Sequence, residues 1–562
     1  MKQEQWVVLT KHADFRAVAG RFHVDPVIAR ILRNRELISD EDIRRFFSTD
    51  LRDLYEPALL RDMDRAVALM GKEIAGGARI RVIGDYDIDG VMASVILCTG
   101  LTCLGADCDV RIPDRMTDGY GVSARMIEEA ASDGIDVIVT CDNGTAAGEE
   151  IARAKSLGMR VIVTDHHEVI GLPPADAVIN PHREDCLYPN KELCGAGVAF
   201  KLVQALYEAA GIPTEDAYPL LAFAGFATVG DIMELSGENR LIVREGIRLL
   251  RTTDNPGVRA LCHVCGIQQS SIDTYHIGFI LGPCINAGGR LDSALRAFRL
   301  MMTDTDEEAV RIALELKELN DARKALTEKG VKEARELLED SSFAGDAVYL
   351  LFLPDLHESI AGIVAGRIRE ESGHPTYILT RSGGKAKGSG RSIPAYPMFE
   401  ELCGCADLLT RFGGHPMAAG LTLPEENIPE LRRRLNEAWS PGEEAFAEKV
   451  RIDMQLAPGY ITEELIEQID MLAPFGKGNP RPLFAERGLT VLSPRLMGAK
   501  QNVLRMTVAC PDGIKLSAIC FRNAAALFAR AESDPVISAV YYPQINEYGG
   551  TRTLQLVIEH WK

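Results

Sequence analysis

Five short apolar segments, each ending in polar residues, constrain the fold of this chain more than any other feature. They lie between residues 79 and 181 and read RIRVIGDYD, DCDVRIPD, IDVIVTCDNG, MRVIVTDHH and ADAVINP. Helix-like segments such as 123–133 and 146–157 separate them. Strands and helices in alternation predict right-handed βαβ units and a parallel sheet. In such an open sheet, functional groups lie at the carboxyl ends of the strands.

The first strand end carries three alternating aspartates, Asp85, Asp87 and Asp89, in the sequence GDYDIDG. Hard divalent cations such as Mg²⁺ and Mn²⁺ bind to several carboxylate oxygens held close together. A DxDxDG sequence also opens calcium loops of the EF-hand type. No glutamate stands at the closing position here, and a strand precedes the motif. A transition-metal or magnesium site is therefore the better prediction.

Two further strand ends add ligands of the same chemistry. TDHH supplies His166 and His167 after Asp165, and imidazole with carboxylate suits Mn²⁺ while also tolerating Zn²⁺. CDNG supplies Asp142, which alone would be read as a plain turn. Asp231 stands in the apolar stretch TVGDIMEL, where a buried aspartate needs a partner or a metal ion.

Together these residues predict a site for two metal ions. Such a pair activates a water nucleophile and stabilises the leaving oxygen of a phosphoester, so the expected chemistry is hydrolysis without a covalent intermediate. Whether a separate general base takes part stays open.

Three glycine-rich elements downstream predict phosphate binding. NAGGRLDSA contains Asn286 and Arg290, KAKGSGRSIP contains Ser389 and Arg391, and RFGGHPMAAG contains His415. Glycine lets backbone amides approach an anion, and arginine binds phosphate through two nitrogens. For KAKGSGR alone, a flexible surface loop is the competing interpretation.

Size, charge and cysteine content narrow the class of protein. A chain of 562 residues is too long for one core, so three or four domains are expected. The net charge of −19 argues against a general DNA coat but allows an enzyme with a local basic groove. Thirteen scattered cysteines, with neither an apolar leader nor a membrane span, predict reduced thiols in the cytoplasm. Cys262 and Cys265 form one CxxC, for which ordinary core residues are favoured over structural zinc.

At this point the motifs resemble a known family. DYDIDG, CDNG, TDHH and GDIMELSGENR, in this order, resemble the motifs of the DHH phosphoesterase superfamily in its RecJ branch. GPCINAGGRL resembles a further stretch of the first core domain, and HESIAGIVAGRIRE, KGSGRSIP and GGHPMAAGLTL resemble the DHH-associated domain. PFGKGNPRPLF resembles the lead-in to the OB domain. The resemblance runs from about residue 79 to about 485.

The resemblance implies an α/β fold with two α/β core domains, joined by a long helix, and a C-terminal OB-type β-barrel. The expected segments are an N-terminal extension (1–55), a DHH catalytic domain (56–300), a connecting helix (301–343), a DHH-associated substrate-binding domain (344–445) and an OB-fold nucleic-acid-binding domain (446–562).

The resemblance also implies roles for individual residues. Asp85, Asp87, Asp142, His166 and Asp231 would be the main metal ligands, and Asp89, Asp165 and His167 would complete or support the site. Arg290, Ser389 and Arg391 would bind a terminal 5′-phosphate, with Asn286 and His415 as further substrate-binding candidates. Arg115 and Tyr120 would lie along the strand path, with Tyr120 able to stack on a base.

The activity that the resemblance implies is 5′→3′ digestion of single-stranded DNA to mononucleotides, with two Mn²⁺ or Mg²⁺ ions, in DNA repair and recombination. A monomer is expected, and a single-strand-binding protein and a RecQ-type helicase are candidate partners. Two alternatives stay open: an enzyme of the same superfamily acting on very short substrates, and a non-catalytic scaffold like the replication-fork relatives. The length of the chain disfavours the former, and the intact acidic motifs disfavour the latter.

Three positions depart from the family patterns. Arg81 stands where small DHH phosphatases carry histidine, Ser359 where glycine is expected, and Leu356 where an aromatic residue is common. The last two concern only the surface of the second core domain.

Overall fold

A computed structural model describes residues 4–115, 117–499, 501–548 and 550–562. The chain forms two compact units. The first unit contains Glu56–Asp231 and Glu245–Glu448, together with Glu4 and Gln5. The second contains Trp6–Tyr55, Ile232–Arg244 and Lys449–Lys562.

The strands are β1 (Glu4–Val8), β2 (Arg79–Ile83), β3 (Asp107–Arg111), β4 (Val137–Cys141), β5 (Arg160–Thr164), β6 (Ala177–Ile179), β7 (Tyr349–Phe352), β8 (Thr376–Ser382), β9 (Lys385–Arg391), β10 (Arg411–His415), β11 (Ala418–Leu423), β12 (Glu448–Ile452), β13 (Met454–Gln455), β14 (Phe484–Met497), β15 (Val503–Ala509), β16 (Lys515–Cys520), β17 (Val536–Tyr548) and β18 (Thr551–Trp561).

The α-helices are α1 (Phe15–Phe22), α2 (Pro26–Asn34), α3 (Asp40–Phe47), α4 (Met63–Ala75), α5 (Ile88–Cys103), α6 (Ala124–Ser132), α7 (Gly148–Ser156), α8 (Gly195–Ala209), α9 (Leu221–Gly230), α10 (Gly237–Leu250), α11 (Pro256–Val264), α12 (Thr274–His276), α13 (Gly282–Leu291), α14 (Leu295–Met302), α15 (Asp306–Leu338), α16 (Glu358–Ser372), α17 (Met398–Cys403), α18 (Ile428–Ala438), α19 (Glu463–Asp470) and α20 (Ala524–Ser533). A π-helical turn, Ile277–Leu281, joins α12 to α13. Short 3₁₀ turns lie at Leu51–Asp53, Pro57–Leu59, Thr214–Leu220, Gln269–Ser271, Ser341–Phe343, Ala406–Leu408, Glu425–Asn427, Glu443–Phe446 and Pro458–Tyr460.

The predicted parallel sheet is confirmed in the first unit. Its strand order is β3-β2-β4-β5-β6, and all four pairings are parallel. All five residues of β4 are buried, as expected where helices cover both faces of a sheet. Helix α5 is apolar on nearly all sides because it packs between the sheet, α8 and α9. This arrangement brings the strand ends predicted to carry the chemistry to one edge.

Arg81, which stands where small DHH phosphatases carry histidine, has a structural role. Arg81 lies buried in β2, and its guanidinium donates to Asp109 (2.7 Å) and Asp133 (2.9 Å). These contacts are at the side of β3 and α6, so Arg81 fastens neighbouring elements rather than lining the carboxyl edge.

A second sheet of the first unit has the order β10-β11-β9-β8-β7. Helices α15 and α16 cover one face, where Val331, Ile360 and Val364 form a core. Helices α17 and α18 cover the other face, where Tyr377, Leu402 and Leu431 are buried. Helix α15 has 33 residues, which is about 50 Å at 1.5 Å per residue, and it contacts α11, α13 and α16. The predicted long helix between two α/β regions is therefore present.

The second unit is built on a β-barrel. Strands β13-β14-β15-β16-β18-β17 form its sheet, and a pairing of β14 with β17 closes it. The predicted OB-type barrel is therefore present. Its core includes residues of the N-terminal helices, since Ile28 and Ile31 of α2 are buried together with Ile466, Ile469 and Phe484.

The predicted segment boundaries at residues 55, 300, 343 and 445 stay predictions, because the two compact units are a coarser division. Within the described residues, no helix is both long and apolar enough to cross a membrane.

Candidate active site

Carboxylates from three parts of the first unit converge at the carboxyl edge of the parallel sheet. Asp85 and Asp87 follow β2, Asp142 follows β4, and Asp231 ends α9. Asp87 caps α5 by accepting hydrogen bonds from the backbone N–H of Asp89 (2.9 Å) and Gly90 (3.2 Å). One ligand atom each from Asp85, Asp87 and Asp142 lies within 4.8 Å of the others.

His166 lies among these carboxylates. Its Nε2 is 3.1 Å from Asp142 Oδ1, 3.5 Å from Asp89 Oδ2 and 3.9 Å from Asp231 Oδ2. Two further groups of converging ligand atoms share His166: one with Asp89 and Asp231, the other with Asp142 and His167. Asp142 and His166 each belong to two of the three groups.

Two glycines make this close packing possible. A Cβ on Gly90 would lie 2.4 Å from the backbone nitrogen of Asp85, so the turn that bends the first motif into α5 needs glycine there. A Cβ on Gly195, the first residue of α8, would lie 2.5 Å from Asp142 Cβ. Asp142 itself adopts a positive φ of 61°, a conformation that aspartate tolerates better than most residues.

The electrostatics of the cluster fit divalent cations. Oδ1 of Asp85 and Oδ1 of Asp142 are buried and accept no hydrogen bond from any described residue. Burial and the nearby Asp87 raise the pKa of Asp85 to about 8, and burial with the neighbouring carboxylates raises the pKa of Asp142 well above its usual range. Burial lowers the pKa of His166, which favours the neutral imidazole that binds metals. Unpaired buried carboxylates are costly, and bound Mg²⁺ or Mn²⁺ would satisfy them.

Asp89 and Asp165 are bonded differently from the other carboxylates. The carboxylate of Asp89 accepts the backbone N–H groups of Gly195 (2.6 Å) and Ala196 (2.8 Å), at the N-terminus of α8. Asp165 accepts the N–H groups of Thr145 (2.9 Å), His166 (2.8 Å) and His167 (3.2 Å). Asp165, predicted as a ligand, is absent from the three converging groups formed by the described residues.

His167 is held by Asp165 and faces an aromatic wall. Its Nδ1 lies 2.8 Å from Asp165 Oδ1, and its Nε2 lies 3.0 Å from the Tyr120 hydroxyl. Burial lowers the pKa of His167, but Asp165 and the other carboxylates outweigh this and raise it to about 9. The Tyr120 ring is 52% exposed and meets the Tyr86 ring edge-on at 6.3 Å, while Arg115 lies 4.8 Å over the Tyr86 ring.

Tyr86 was missed in the sequence analysis. It stands between Asp85 and Asp87, where a strand-like alternation would have placed it on the side away from the ligands. In the structure it belongs to the aromatic wall because the turn before α5 breaks that alternation.

A cluster of arginines lies beside the predicted metal ligands. Arg290 of α13 donates to the carbonyl of Ser359 at the start of α16 (3.0 Å). Arg391 donates to Ser389 Oγ (2.9 Å) and to the Gly390 carbonyl (2.8 Å). Gly362 of α16 leaves room for them, since a Cβ there would lie 3.0 Å from both Arg391 Nη2 and Ser389 Oγ.

Mutual repulsion in this cluster indicates an anion site. Burial, followed by Arg115 and Arg323, lowers the pKa of Arg290 to about 10. Burial, followed by Arg369 and Arg115, lowers the pKa of Arg391. Arg115 acts on both guanidinium groups and on Asp85, so the arginine cluster and the carboxylate cluster are neighbours. Arg323 lies outside every motif, and Arg369 stands within HESIAGIVAGRIRE without a predicted role, because only the tertiary structure brings them here.

Two further predicted substrate-binding residues are Asn286, whose side chain contacts the backbone beside Asp87, and His415, on the edge strand β10. Asn286 Oδ1 accepts the backbone N–H of Ile88 (2.8 Å), so this side chain fastens α13 to the start of α5. His415 is exposed at the end of β10. Its register partner Ala418 separates it from Arg391 on β9, so their backbones are two strand spacings, or about 10 Å, apart.

Three family models match the chain. They are described as the DHH family, N-terminal domain (residues 79–226), the DHHA1 domain (345–440) and the RecJ OB domain (452–560).

Whole-chain relatives agree with these matches. The single-stranded-DNA-specific exonuclease RecJ of Bacillus subtilis is 35% identical over 97% of this chain and 69% of its own length. The protein of the same description from Escherichia coli is 32% identical over 95% of each chain. The crystal structure of Thermus thermophilus RecJ in complex with Mn²⁺ superposes with a TM-score of 0.82 at 28% identity, covering 100% of this chain and 80% of that one. The chain therefore belongs to the RecJ family.

Proposed function

We propose that this protein is a metal-dependent exonuclease specific for single-stranded DNA, acting in DNA repair and recombination. One observation carries the proposal: buried carboxylate oxygens that accept no hydrogen bond from the described residues, on Asp85 and Asp142, lie next to a cluster of mutually repelling arginines. That combination suits a site that binds cations and a polyanion together. The relatives named as single-stranded-DNA-specific exonucleases support the same activity.

The cofactors are two Mn²⁺ or Mg²⁺ ions, in keeping with the Thermus RecJ structures that contain Mn²⁺ or Mg²⁺. Asp85, Asp87 and Asp142 would hold one ion. Asp142, His166 and Asp231 would hold the other, because His166 Nε2 lies 3.1 Å from Asp142 Oδ1 and 3.9 Å from Asp231 Oδ2. Bound there, the ions supply an activated water and stabilise the leaving oxygen. Asp89 and Asp165 act by position: Asp89 anchors α8 against the site, and Asp165 orients both histidines.

The arginine cluster binds the 5′-phosphate end of the strand. Arg290 and Arg391 contribute charge, and Ser389 contributes a hydroxyl. Because this pocket adjoins the carboxylates, a strand with its terminal phosphate there presents its first phosphodiester to the metal ligands. Digestion is then 5′→3′ with release of mononucleotides. Tyr86 and Tyr120 line the path as stacking surfaces for bases.

The second unit provides additional contacts with DNA, since OB-type barrels bind oligonucleotides. The protein works in the cytoplasm as a monomer, with a single-strand-binding protein and a RecQ-type helicase as functional partners. Sedimentation at micromolar concentration tests the monomer, and a dimer there would contradict it.

The main experiment is digestion of a single-stranded oligonucleotide labelled at either end, with Mn²⁺, Mg²⁺ or EDTA. We expect metal-dependent release of labelled mononucleotides from the 5′ end, while duplex DNA is spared. Cleavage restricted to oligomers of two to five residues would assign the protein to the short-substrate branch of the superfamily. Tight binding without cleavage would indicate a scaffold.

The end pocket is tested by Arg391→Ala. Digestion of 5′-phosphorylated strands should fall by about tenfold or more, whereas strands with a 5′-hydroxyl should be affected much less, because the lost contact is a charge-assisted hydrogen bond to the phosphate. Arg381→Ala is the matched control, since Arg381 lies on the neighbouring strand β8 and pairs with Glu425 at 2.6 Å. Equal losses on both kinds of end would place the pocket elsewhere.

A further inference from the structure

In the structure, the thiol of Cys265 from the CxxC sequence contacts the thiol of Cys284, a residue outside that motif. Cys265, at the C-terminal cap of α11, is partly exposed, and its sulfur lies 3.7 Å from the sulfur of the buried Cys284 in α13. Cys262 faces the core. No cysteine among the described residues belongs to a group of three converging metal ligands.

The surroundings of this pair favour a reactive thiolate. Helix α15 brings Lys317 and Lys324 close to Cys265, and Asn320 Nδ2 lies 3.3 Å from Cys284 Sγ. The contact with Cys284 and the two lysines lower the pKa of Cys265 to about 7 against the opposing effects of burial and Asp321. Thiolates near cations and partly open to solvent are the ones that react with oxidants.

A second thiol pair in the first unit provides the contrast. The sulfurs of Cys98 and Cys108 are 3.6 Å apart, but the contact with Cys108, burial and nearby anionic groups such as Asp109 raise the pKa of Cys98. In both pairs the two sulfurs therefore lie close together. The pairs differ in their surroundings, since two lysines lie near Cys265 whereas an aspartate lies near Cys98.

We propose that Cys265 and Cys284 form a peroxide-sensitive thiol pair that switches the nuclease by reversible disulfide formation. The Cys265 thiolate attacks one oxygen of hydrogen peroxide, the O–O bond breaks, and a sulfenic acid forms while hydroxide leaves and takes up a proton as water. Cys284 then attacks that sulfur, the S–O bond breaks, and the Cys284 proton leaves with the second water. Two thiols are oxidised, and one peroxide is reduced to two waters.

The disulfide would reach the active site through α13. A disulfide bond is about 2.05 Å long, so the two sulfurs must approach each other by more than an ångström. Asn286 and Arg290 lie two and six residues beyond Cys284 on the same helix, and both have specific contacts, with Ile88 N–H and the Ser359 carbonyl. A displacement of that size at a catalytic site costs about tenfold or more in rate. This regulatory step rests on the proposed function; the oxidation itself does not.

The first experiment detects the disulfide itself and does not depend on nuclease activity. Reduced full-length protein is treated with hydrogen peroxide, alkylated and digested for mass spectrometry. We expect a cross-linked peptide joining Cys265 to Cys284, still formed in Cys98→Ser and lost in Cys265→Ser. Cys284→Ser should stop at a sulfenic acid on Cys265 that a dimedone probe traps. Separate alkylation of both cysteines in oxidised wild type overturns the proposal, as does stoichiometric zinc uptake that protects Cys262, Cys265 and Cys284.

The second experiment measures how the disulfide changes DNA digestion and DNA binding. Oxidised wild type should digest single strands about tenfold more slowly, bind a 5′-phosphorylated oligonucleotide more weakly, and recover both with dithiothreitol. Cys265→Ser should not respond. A cross-link that leaves digestion and binding unchanged overturns the switch. If reduced protein digests no DNA, the proposed nuclease fails, while the cross-link and the binding shift still decide whether the pair moves α13.

Discussion

Individual carboxylates of the active site differ in a way that motifs do not reveal. Asp85 and Asp142 each keep a buried oxygen that accepts no hydrogen bond from the described residues, whereas Asp89 and Asp165 accept backbone N–H groups. The sequence assigned all four to strand ends, although Asp89 lies in the first turn of α5, so it indicated a metal site but not the division of roles. The distinguishing donors come from Gly195 and Thr145, which are distant in sequence from the aspartate that each contacts.

Asp142→Asn is expected to abolish activity and to stabilise the metal-free protein. The substitution keeps the size and the tolerated positive φ of 61° but removes one charge from a cluster that is buried and mutually repelling. Nuclease activity should fall by more than about 100-fold. In EDTA, the free energy of unfolding should rise by about 1–2 kcal/mol. A nuclease assay with Mn²⁺ measures the first effect, and thermal denaturation in EDTA measures the second.

Asp107→Asn is the matched control, because Asp107 lies at the opposite end of β3 with a 73% exposed side chain. It should change neither property. An active Asp142→Asn enzyme would remove Asp142 from the proposed ligands.

The stability of the metal-free protein should fall as pH rises from about 4 to 8. Burial and Asp87 raise the pKa of folded Asp85 to about 8, whereas the unfolded group titrates near 3.9. Between those values the folded state binds more protons, so its advantage is full at the acid end and is lost as pH approaches 8. Melting temperatures in EDTA between about pH 6 and 8.5 test this, and Asp85→Asn should flatten the profile. A wild-type profile as flat as that of the variant would contradict the prediction.

Helix α13 is the element that ties the two halves of the site together. Its Asn286 holds the start of α5, and its Arg290 reaches the start of α16. The sequence predicted Asn286 and Arg290 as substrate groups because both stand in a glycine-rich motif. Pattern alone cannot distinguish a glycine that cradles phosphate from one that lets two backbones approach.

Gly289→Ala should displace α13 and impair the enzyme. A Cβ at this position would lie 2.1 Å from the carbonyl oxygen of Tyr86, so either the helix or the turn containing Asp85 and Asp87 must shift. We expect activity to fall by at least about tenfold and stability by about 1–3 kcal/mol. Gly278→Ala is the control, since no heavy atom lies within 4 Å of its added Cβ. If Gly289→Ala behaves like Gly278→Ala, α13 does not set the geometry of the site.

At the scale of the whole molecule, the parallel sheet, the long helix and the barrel followed from periodicity and order along the chain. The discontinuous second unit did not. Residues 6–55 looked like an extension because their apolar positions have no partner nearby in sequence; Ile28 and Ile31 find theirs in Leu465 and Ile469, more than 400 residues later. Local patterns carry no information about pairings of that separation.

Truncation tests this division of the chain. A variant of residues 1–448 keeps α2 and α3 but loses the helix and barrel residues that bury them, so it should bind a hydrophobic dye and aggregate. A variant of residues 56–448 lacks those helices and should expose less apolar surface, although it is shorter. Size-exclusion chromatography and dye fluorescence compare the two.

Because every proposed metal ligand and the arginine cluster lie within Glu56–Asp231 and Glu245–Glu448, the variant of residues 56–448 should still cleave short single strands with Mn²⁺. Its KM should rise more than its kcat falls, since what it has lost is DNA contact by the barrel. Less dye binding and less aggregation by 1–448 than by 56–448 would contradict the core that α2 shares with the barrel. A fall in kcat without a rise in KM would mean that the second unit contributes to the chemistry.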